Sequence, residues 1–305
     1  MLKIAYNLKE ERIWVIMLNH SDYYYTISQV SHITGLTKET IRKWEQRHQL
    51  IQPTRLENGY RQYTQSDVLR LLQIQHYIRD GATIRSAMEK TNTLPAFQPQ
   101  TTHYLFKLLE YGWNCDEAAF HKILQEAHLI LSINEFLHQL IIPFLHQVGD
   151  NWQNHSWFEY QETLASTIIR DFLATIRRSF PVNNERPLVL GACLPGENHE
   201  IAIEILLIQA SIKGYRNFMI GSSPSVSTIE ALILKLEPQV VLLSAATLKP
   251  FELFPDELLN LEKFAAQHPH IRFVIGGEGA RIYTEKQPFK HLTFCNDMTT
   301  IFNSY

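Results

Sequence analysis

From residue 187 onward, short apolar runs alternate with helical stretches of roughly a dozen residues, a rhythm few architectures satisfy. The runs are Leu188–Ala192, Phe218–Ile220, Val240–Ser244 and Phe273–Gly276, and the helical stretches are His199–Lys213, Ser227–Leu236 and Asp256–Gln267. Strands this apolar have no face suited to water. They are buried on both sides when they lie parallel and the intervening helices cover the two faces of the sheet. The pattern predicts a doubly wound parallel α/β domain over 187–305.

The preceding part has a different period. Leu105, Leu108 and Leu109 form one apolar stripe and Phe136, Leu140 and Ile141 another, both at three-four spacing. Only short polar breaks separate these segments, so a helical bundle is expected over 103–180. Two polar, proline-containing stretches punctuate the chain: Thr91–Gln100 before the bundle and Pro181–Arg186 after it. The chain therefore reads as an extension over 1–20, with Met17 a second possible start, a small helical domain over 21–92, a linker over 93–102, the bundle, and the α/β domain. At 305 residues, more than one hydrophobic core is required.

Charge is distributed unevenly. Residues 1–92 carry 13 Lys and Arg against 9 Asp and Glu, whereas the remainder carries 15 against 22. A basic segment on an acidic body suits a domain that meets nucleic acid. Cys115, Cys193 and Cys295 are odd in number and lack CxxC spacing, which points to a reducing compartment and away from a disulfide or zinc framework. The apolar run Ile13–Leu18 is too short for a membrane span. A cytoplasmic protein with no membrane partner is expected.

Thr26–Thr37 reads as a helix, a turn containing Gly35, and a Thr cap for a second helix over Lys38–His48. That second helix offers Lys38, Thr40, Arg42 and Lys43, donors suited to phosphates and base edges of double-stranded DNA. Asn58-Gly59 then marks a hairpin, with Arg55, Tyr60 and Arg61 on its arms. Trp44 and Tyr63 are read as core rather than as DNA contacts. The combination of turn, Trp44-Glu45-Gln46-Arg47 helix and Gly59-Tyr60-Arg61-Gln62-Tyr63 hairpin resembles the winged helix-turn-helix head of MerR-type regulators. The resemblance covers Tyr25 to Lys90 and implies transcriptional regulation.

In the α/β domain, Glu197-Asn198-His199-Glu200-Ile201-Ala202 follows the first strand, Ser244-Ala245-Ala246-Thr247 another, and Gly276-Gly277-Glu278-Gly279 a third. Small and hydroxyl-bearing residues at strand ends are placed where doubly wound sheets receive ligands. These stretches resemble the Rossmann-like cobalamin-binding domain of corrinoid enzymes and a few regulators. The resemblance implies that His199 ligates cobalt, that Glu197 orients its ring, and that Ser244, Gly276 and Gly277 accommodate the nucleotide tail. Ala202 stands where that family has Gly.

Gly149-Asp150-Asn151-Trp152, with Glu162 ten residues after the Trp, resembles the helical cap of light-sensing cobalamin-dependent repressors of carotenoid synthesis. There Trp152 and Glu162 would cover the upper face of adenosylcobalamin. Gln153 and Thr163 replace the histidines of that pattern, and Gln153 is a poor substitute for imidazole at cobalt. His155 could share the face of Trp152 only if the helix extends that far.

Two readings follow. In one, the chain is a DNA-binding repressor whose oligomeric state, dimer or tetramer, and DNA affinity answer to cobalamin and, through adenosylcobalamin, to light. In the other, favoured by Ala202, Gln153 and Thr163, the cobalamin-like domain is a scaffold for homo-oligomerisation or for a protein antirepressor. A corrinoid carrier enzyme has no use for a basic winged head. Nucleophile–base pairs, P-loops and metal-hydrolase motifs are absent from the sequence, so no catalysis is expected.

Overall fold

The computed structural model describes residues 24–56, 59–79, 81–93 and 99–295. The N-terminal extension, Asn58 of the expected hairpin and residues 94–98 of the expected linker lie outside them. The chain divides into two compact units, residues 1–166 and 167–305.

The first unit begins with a strand, β1 (Tyr24–Tyr25), followed by helices α1 (Ile27–Thr34) and α2 (Lys38–His48). Thr26 opens α1 in a capping box with Gln29: the Thr hydroxyl receives the Gln29 amide, and the Gln29 side chain receives the Thr26 amide. Gly35 closes the helix in the left-handed region at φ +69°, where a side chain is disfavoured. Thr37 then caps α2 by accepting from the Thr40 amide. This is the local code of a helix-turn-helix.

β2 (Thr54–Arg55) and β3 (Arg61–Thr64) form the hairpin. Thr54 pairs with Gln62 and Arg55 with Arg61, while β1 pairs with the other edge of β3. The hairpin is closed by Gly59 N–H donating to the Leu56 carbonyl, with Gly59 at φ +80°. Helices α3 (Gln65–Arg79) and α4 (Ile84–Thr93) follow. Trp44 and Tyr63 are buried, as befits core positions.

Helix α4 takes in Thr93, the first residue of the expected linker, and α5 (Pro99–Trp113) begins within its second half. Then come α6 (Glu117–Ile130), the short turn α7 (Ile133–Glu135), a π-helical segment Phe136–Ile141, α8 (Ile142–Gln153) and α9 (Glu159–Ser179). Periodicity did not reveal the π segment. Both expected stripes are inside: Leu105, Leu108, Leu109, Phe136, Leu140 and Ile141 are all buried. The division between the units falls inside α9, so the head and most of the bundle share one unit.

The second unit contains β4 (Leu188–Cys193), α10 (Ile201–Ile212), β5 (Arg216–Gly221), α11 (Val226–Leu236) and β6 (Val240–Ser244). It continues with α12 (Lys249–Leu253), α13 (Pro255–Gln267), β7 (Arg272–Gly276), α14 (Glu278–Lys286) and β8 (Thr293–Phe294). The sheet is parallel with strand order β5-β4-β6-β7-β8. Its first strand in sequence, β4, is flanked by the second and third, so the winding reverses there. The C-terminal ends of β4 and β6 thus form the topological switch point, where open α/β sheets bind ligands. The C-terminal portion of α9 is fastened within this unit by Arg177, whose guanidinium donates to Glu204 at 2.6 Å and to Asn217 at 3.0 Å.

Candidate DNA interface and ligand-binding face

On the head, α2 exposes Lys38, Arg42 and Lys43, and the hairpin exposes Arg55 and Tyr60. Helix and hairpin together present a cationic surface with an exposed aromatic ring. Two expected contact residues are otherwise engaged. The Thr40 hydroxyl lies 2.9 Å from the Thr37 hydroxyl, part of the helix cap. Arg61 Nε donates to both Glu45 oxygens at 3.0 and 2.8 Å, and both side chains are largely buried. Arg61 therefore holds the hairpin against α2, and this ion pair raises its already high pKa. Glu45, read only as part of a motif, is the partner that composition could not disclose.

At the switch point the geometry centres on Glu197. Its carboxylate is 1% exposed. One oxygen accepts from the Thr247 amide at 2.8 Å and the Thr247 hydroxyl at 3.0 Å. The other accepts from the His199 amide at 3.0 Å and is in a very short hydrogen bond with His199 Nδ1. The loop after β4 is thereby tied to the loop after β6.

Burial alone would raise the Glu197 pKa. The bonds from the His199 side chain, the His199 and Thr247 amides and the His199 charge outweigh it, and the pKa falls to about 2. Nearby Cys193 is pushed the other way, up to about 12, by burial and then by the charges of Glu197 and Glu200. That thiol is held protonated.

The His199 side chain is 66% exposed although its partner is buried. A ring anchored through Nδ1 to a buried carboxylate is the usual outer-shell arrangement of a metal-ligating imidazole, with Nε2 as the ligating atom. The donor set therefore fits a corrinoid cobalt that takes one imidazole from the protein. Among the described residues no three His, Cys, Asp or Glu side chains gather into a metal-binding group. Ala202 is exposed in the first turn of α10, so its methyl lies on the surface.

Ser244 ends β6 and is buried. Gly276 ends β7, and Gly277 follows at φ +104°. A methyl on Gly277 would lie 2.5 Å from the Ala245 carbonyl, and one on Gly279 would lie 2.0 Å from the Thr247 carbonyl. These glycines let the loop after β7 rest on the backbone after β6. The sequence marked them for ligand room, and loop-to-loop packing is their visible employment.

In the bundle, Trp152 is 49% exposed near the end of α8. Glu162 lies in the first turn of α9, its Oε1 accepting from Ser166 Oγ at 2.7 Å. Helix α8 ends at Gln153, and His155 lies beyond it in the left-handed region at φ 60°. The helical extension that would put His155 on the Trp152 face does not form. Trp157, which sequence reasoning passed over, is buried, and its indole N–H donates to the His32 carbonyl at 3.1 Å.

Residues 25–93 match the family described as MerR HTH family regulatory protein, and residues 105–177 match the family described as B12 binding domain. The chain is homologous to the HTH-type transcriptional repressor CarA of Myxococcus xanthus, 26% identical over 263 residues that cover 84% of this chain and 87% of CarA. To the repressor CarH of the same organism it is 27% identical over 271 residues, covering 84% and 90%. Its fold is similar to that of the Methanosarcina barkeri monomethylamine corrinoid protein, with a TM-score of 0.51 at 11% identity, over 66% of this chain and 95% of that one. A segment that matches the MerR family and a segment that matches the B12 binding domain family thus follow one another in one polypeptide. Among the described residues no helix is long and apolar enough to cross a membrane.

Proposed function

We propose that this chain is a transcriptional repressor that binds double-stranded DNA through its MerR-type head and takes cobalamin as its signal. Lys38, Arg42, Lys43, Arg55 and Tyr60 face DNA, with Thr40 and Arg61 holding the reading surface in shape. His199 would ligate cobalt, with Glu197 fixing its tautomer and orientation. Ser244, Gly276 and Gly277 line the tail end, and Trp152 and Glu162 supply the cap. A bound corrinoid supplies a cobalt centre with an exchangeable upper group, here taken to be adenosyl. The protein's part is to hold the imidazole, and catalysis is not assigned to it.

The observation that carries this reading is the buried Glu197 locking an exposed His199 at the switch point. A buried carboxylate that accepts from three donors and also fixes an exposed imidazole through Nδ1 is the arrangement that presents Nε2 of a histidine to a metal. Ligand binding would set affinity by joining heads into a dimer or tetramer that reads paired half-sites. Gln153, Thr163 and the position of His155 deprive the cap of an imidazole beside Trp152, so we assign the switch to ligand occupancy and treat light as a modulator.

A second reading has one observation in its favour. Because Gly277 and Gly279 are already in use between loops, the α/β domain could be a scaffold for oligomerisation or for an antirepressor. Electrophoretic mobility of promoter DNA with the intact chain, with and without adenosylcobalamin in darkness, separates the two. A cobalamin-responsive repressor shifts DNA at least about tenfold more tightly when loaded, equivalent to 1.4 kcal/mol. Identical shifts in the two conditions would favour the scaffold.

A further inference from the structure

The first helix of the helix-turn-helix ends against the bundle, and its unpaired carbonyls find their donors there. A helix leaves its last four carbonyl groups without intrahelical partners. In α1 the Ser31 carbonyl accepts from Gly35 N–H. The remaining three, with that of Gly35, are satisfied from α8 and the residues just after it.

Gln147 donates to the Thr34 carbonyl at 2.7 Å, and Asn154 to the Gly35 carbonyl at 2.8 Å. Asn151 reaches the His32 and Ile33 carbonyls at 3.4 Å each, and the Trp157 indole completes His32 at 3.1 Å. The His32 ring stacks on Trp113 with 3.9 Å between centroids. Gln147 and Asn151 are buried, and Gln147 also donates to Asn151 Oδ1 at 3.0 Å. Gly35 is needed here for approach as well as for its positive φ, since a methyl would come within 2.1 Å of Asn151 Oδ1.

Spacing explains how one helix turn serves two purposes. Positions 147, 151 and 154 recur at four and three residues and so share one face of α8 and its cap. Trp152 is one residue, about 100°, further round, and stands half exposed. Meanwhile Lys38, Arg42 and Lys43 of α2 remain exposed, so the docking leaves the reading surface open.

We propose that the last turn of α8 is a relay: it grips the helix-turn-helix turn on one side and carries Trp152 on the other, so that ligand at the cap is felt directly by the head. This rests on the cobalamin reading for its signal, while the grip itself does not. Occupancy that repositions Trp152 must also move Asn151 and Asn154, because they belong to the same turn. The head would then be tuned within each chain, in addition to any effect of assembly.

Amide hydrogen exchange on the full-length chain tests both parts. Asn154→Ala alters an exposed side chain, and Trp157→Phe keeps a ring in the core, so either variant remains informative if the other misfolds. Each removes a donor to α1 or its turn, and exchange of amides in 27–37 should rise about five- to tenfold, with the α/β domain unchanged. Unchanged exchange at 27–37 in both variants would overturn the grip.

The second arm loads the wild-type chain with adenosylcobalamin in darkness and desalts it. Retained visible absorbance with altered exchange at 27–37, and loss of that response in Asn154→Ala, supports the relay. Retained absorbance with unaltered exchange overturns it. If no absorbance is retained, the cobalamin reading fails and takes the relay with it, while the first arm still shows whether the head is gripped.

Discussion

Replacing Glu197 with Gln keeps the shape of the side chain and removes the charge that organises the switch point. In the folded chain Glu197 has a pKa of about 2, against an ordinary value of 4.5. A folded pKa below the unfolded one contributes stability that is complete above the unfolded value and is lost as pH falls through the folded value. A difference of that size corresponds to about 3 kcal/mol near neutral pH, at about 1.4 kcal/mol per unit. The His199 ring is largely exposed, so solvent screening trims the figure to about 2–3 kcal/mol. The same linkage leaves roughly 1 kcal/mol at pH 3 and a few tenths at pH 2. The assay is urea unfolding of wild type and Glu197→Gln at pH 5 and at pH 2.5, followed by exchange or fluorescence within the α/β domain. Other acid-sensitive groups cancel in the difference between the two proteins. That difference should shrink by about 2 kcal/mol on acidification. A difference that stays constant with pH would refute the charged, hydrogen-bonded Glu197.

Other perturbations follow from the same contacts. Arg177→Ala leaves Glu204 buried without its guanidinium and should cost about 3 kcal/mol, read as a lowered midpoint of α/β unfolding. Tyr63 is fully buried, its hydroxyl has no hydrogen-bond partner among the described residues, and its pKa is pushed up to about 12, chiefly by burial. Tyr63→Phe should therefore leave the head as stable or raise its stability by about 1 kcal/mol, and a lowered melting temperature would contradict this. Lys43→Ala, if its ammonium meets a phosphate, should weaken DNA binding and reduce the slope of log affinity against log salt by about 1. An unchanged slope would remove Lys43 from the interface.

The elements most legible in the sequence were those in which a local rule and a tertiary role agree. The Thr26 and Thr37 caps, the turn at Gly35 and the apolar runs of β4, β6 and β7 are of this kind. The short β1, β8 and α12 carry too few residues to show a period, and the π segment at Phe136–Ile141 leaves no periodic trace distinct from a helix. Side-chain partnerships between distant segments were illegible for a different reason. Thr247 was recognised as part of a strand-end motif, yet that it bonds Glu197 fifty residues earlier depends on the sheet order. Asn151 was read as a neighbour of Trp152, and only the packing of α8 against α1 shows that it serves the helix-turn-helix. That Arg61 pairs with Glu45 was equally illegible, because an arginine on a hairpin carries no mark of the glutamate that accepts from it.

The most direct test is the visible spectrum of the full-length protein after incubation with adenosylcobalamin in darkness and removal of unbound ligand. A cobalamin sensor retains absorbance at about one equivalent per chain, and His199→Ala abolishes it while leaving the fold intact by circular dichroism. A colourless wild-type protein, or a His199→Ala variant that retains the same spectrum as wild type, would contradict the assignment of His199 as the ligand on which regulation depends.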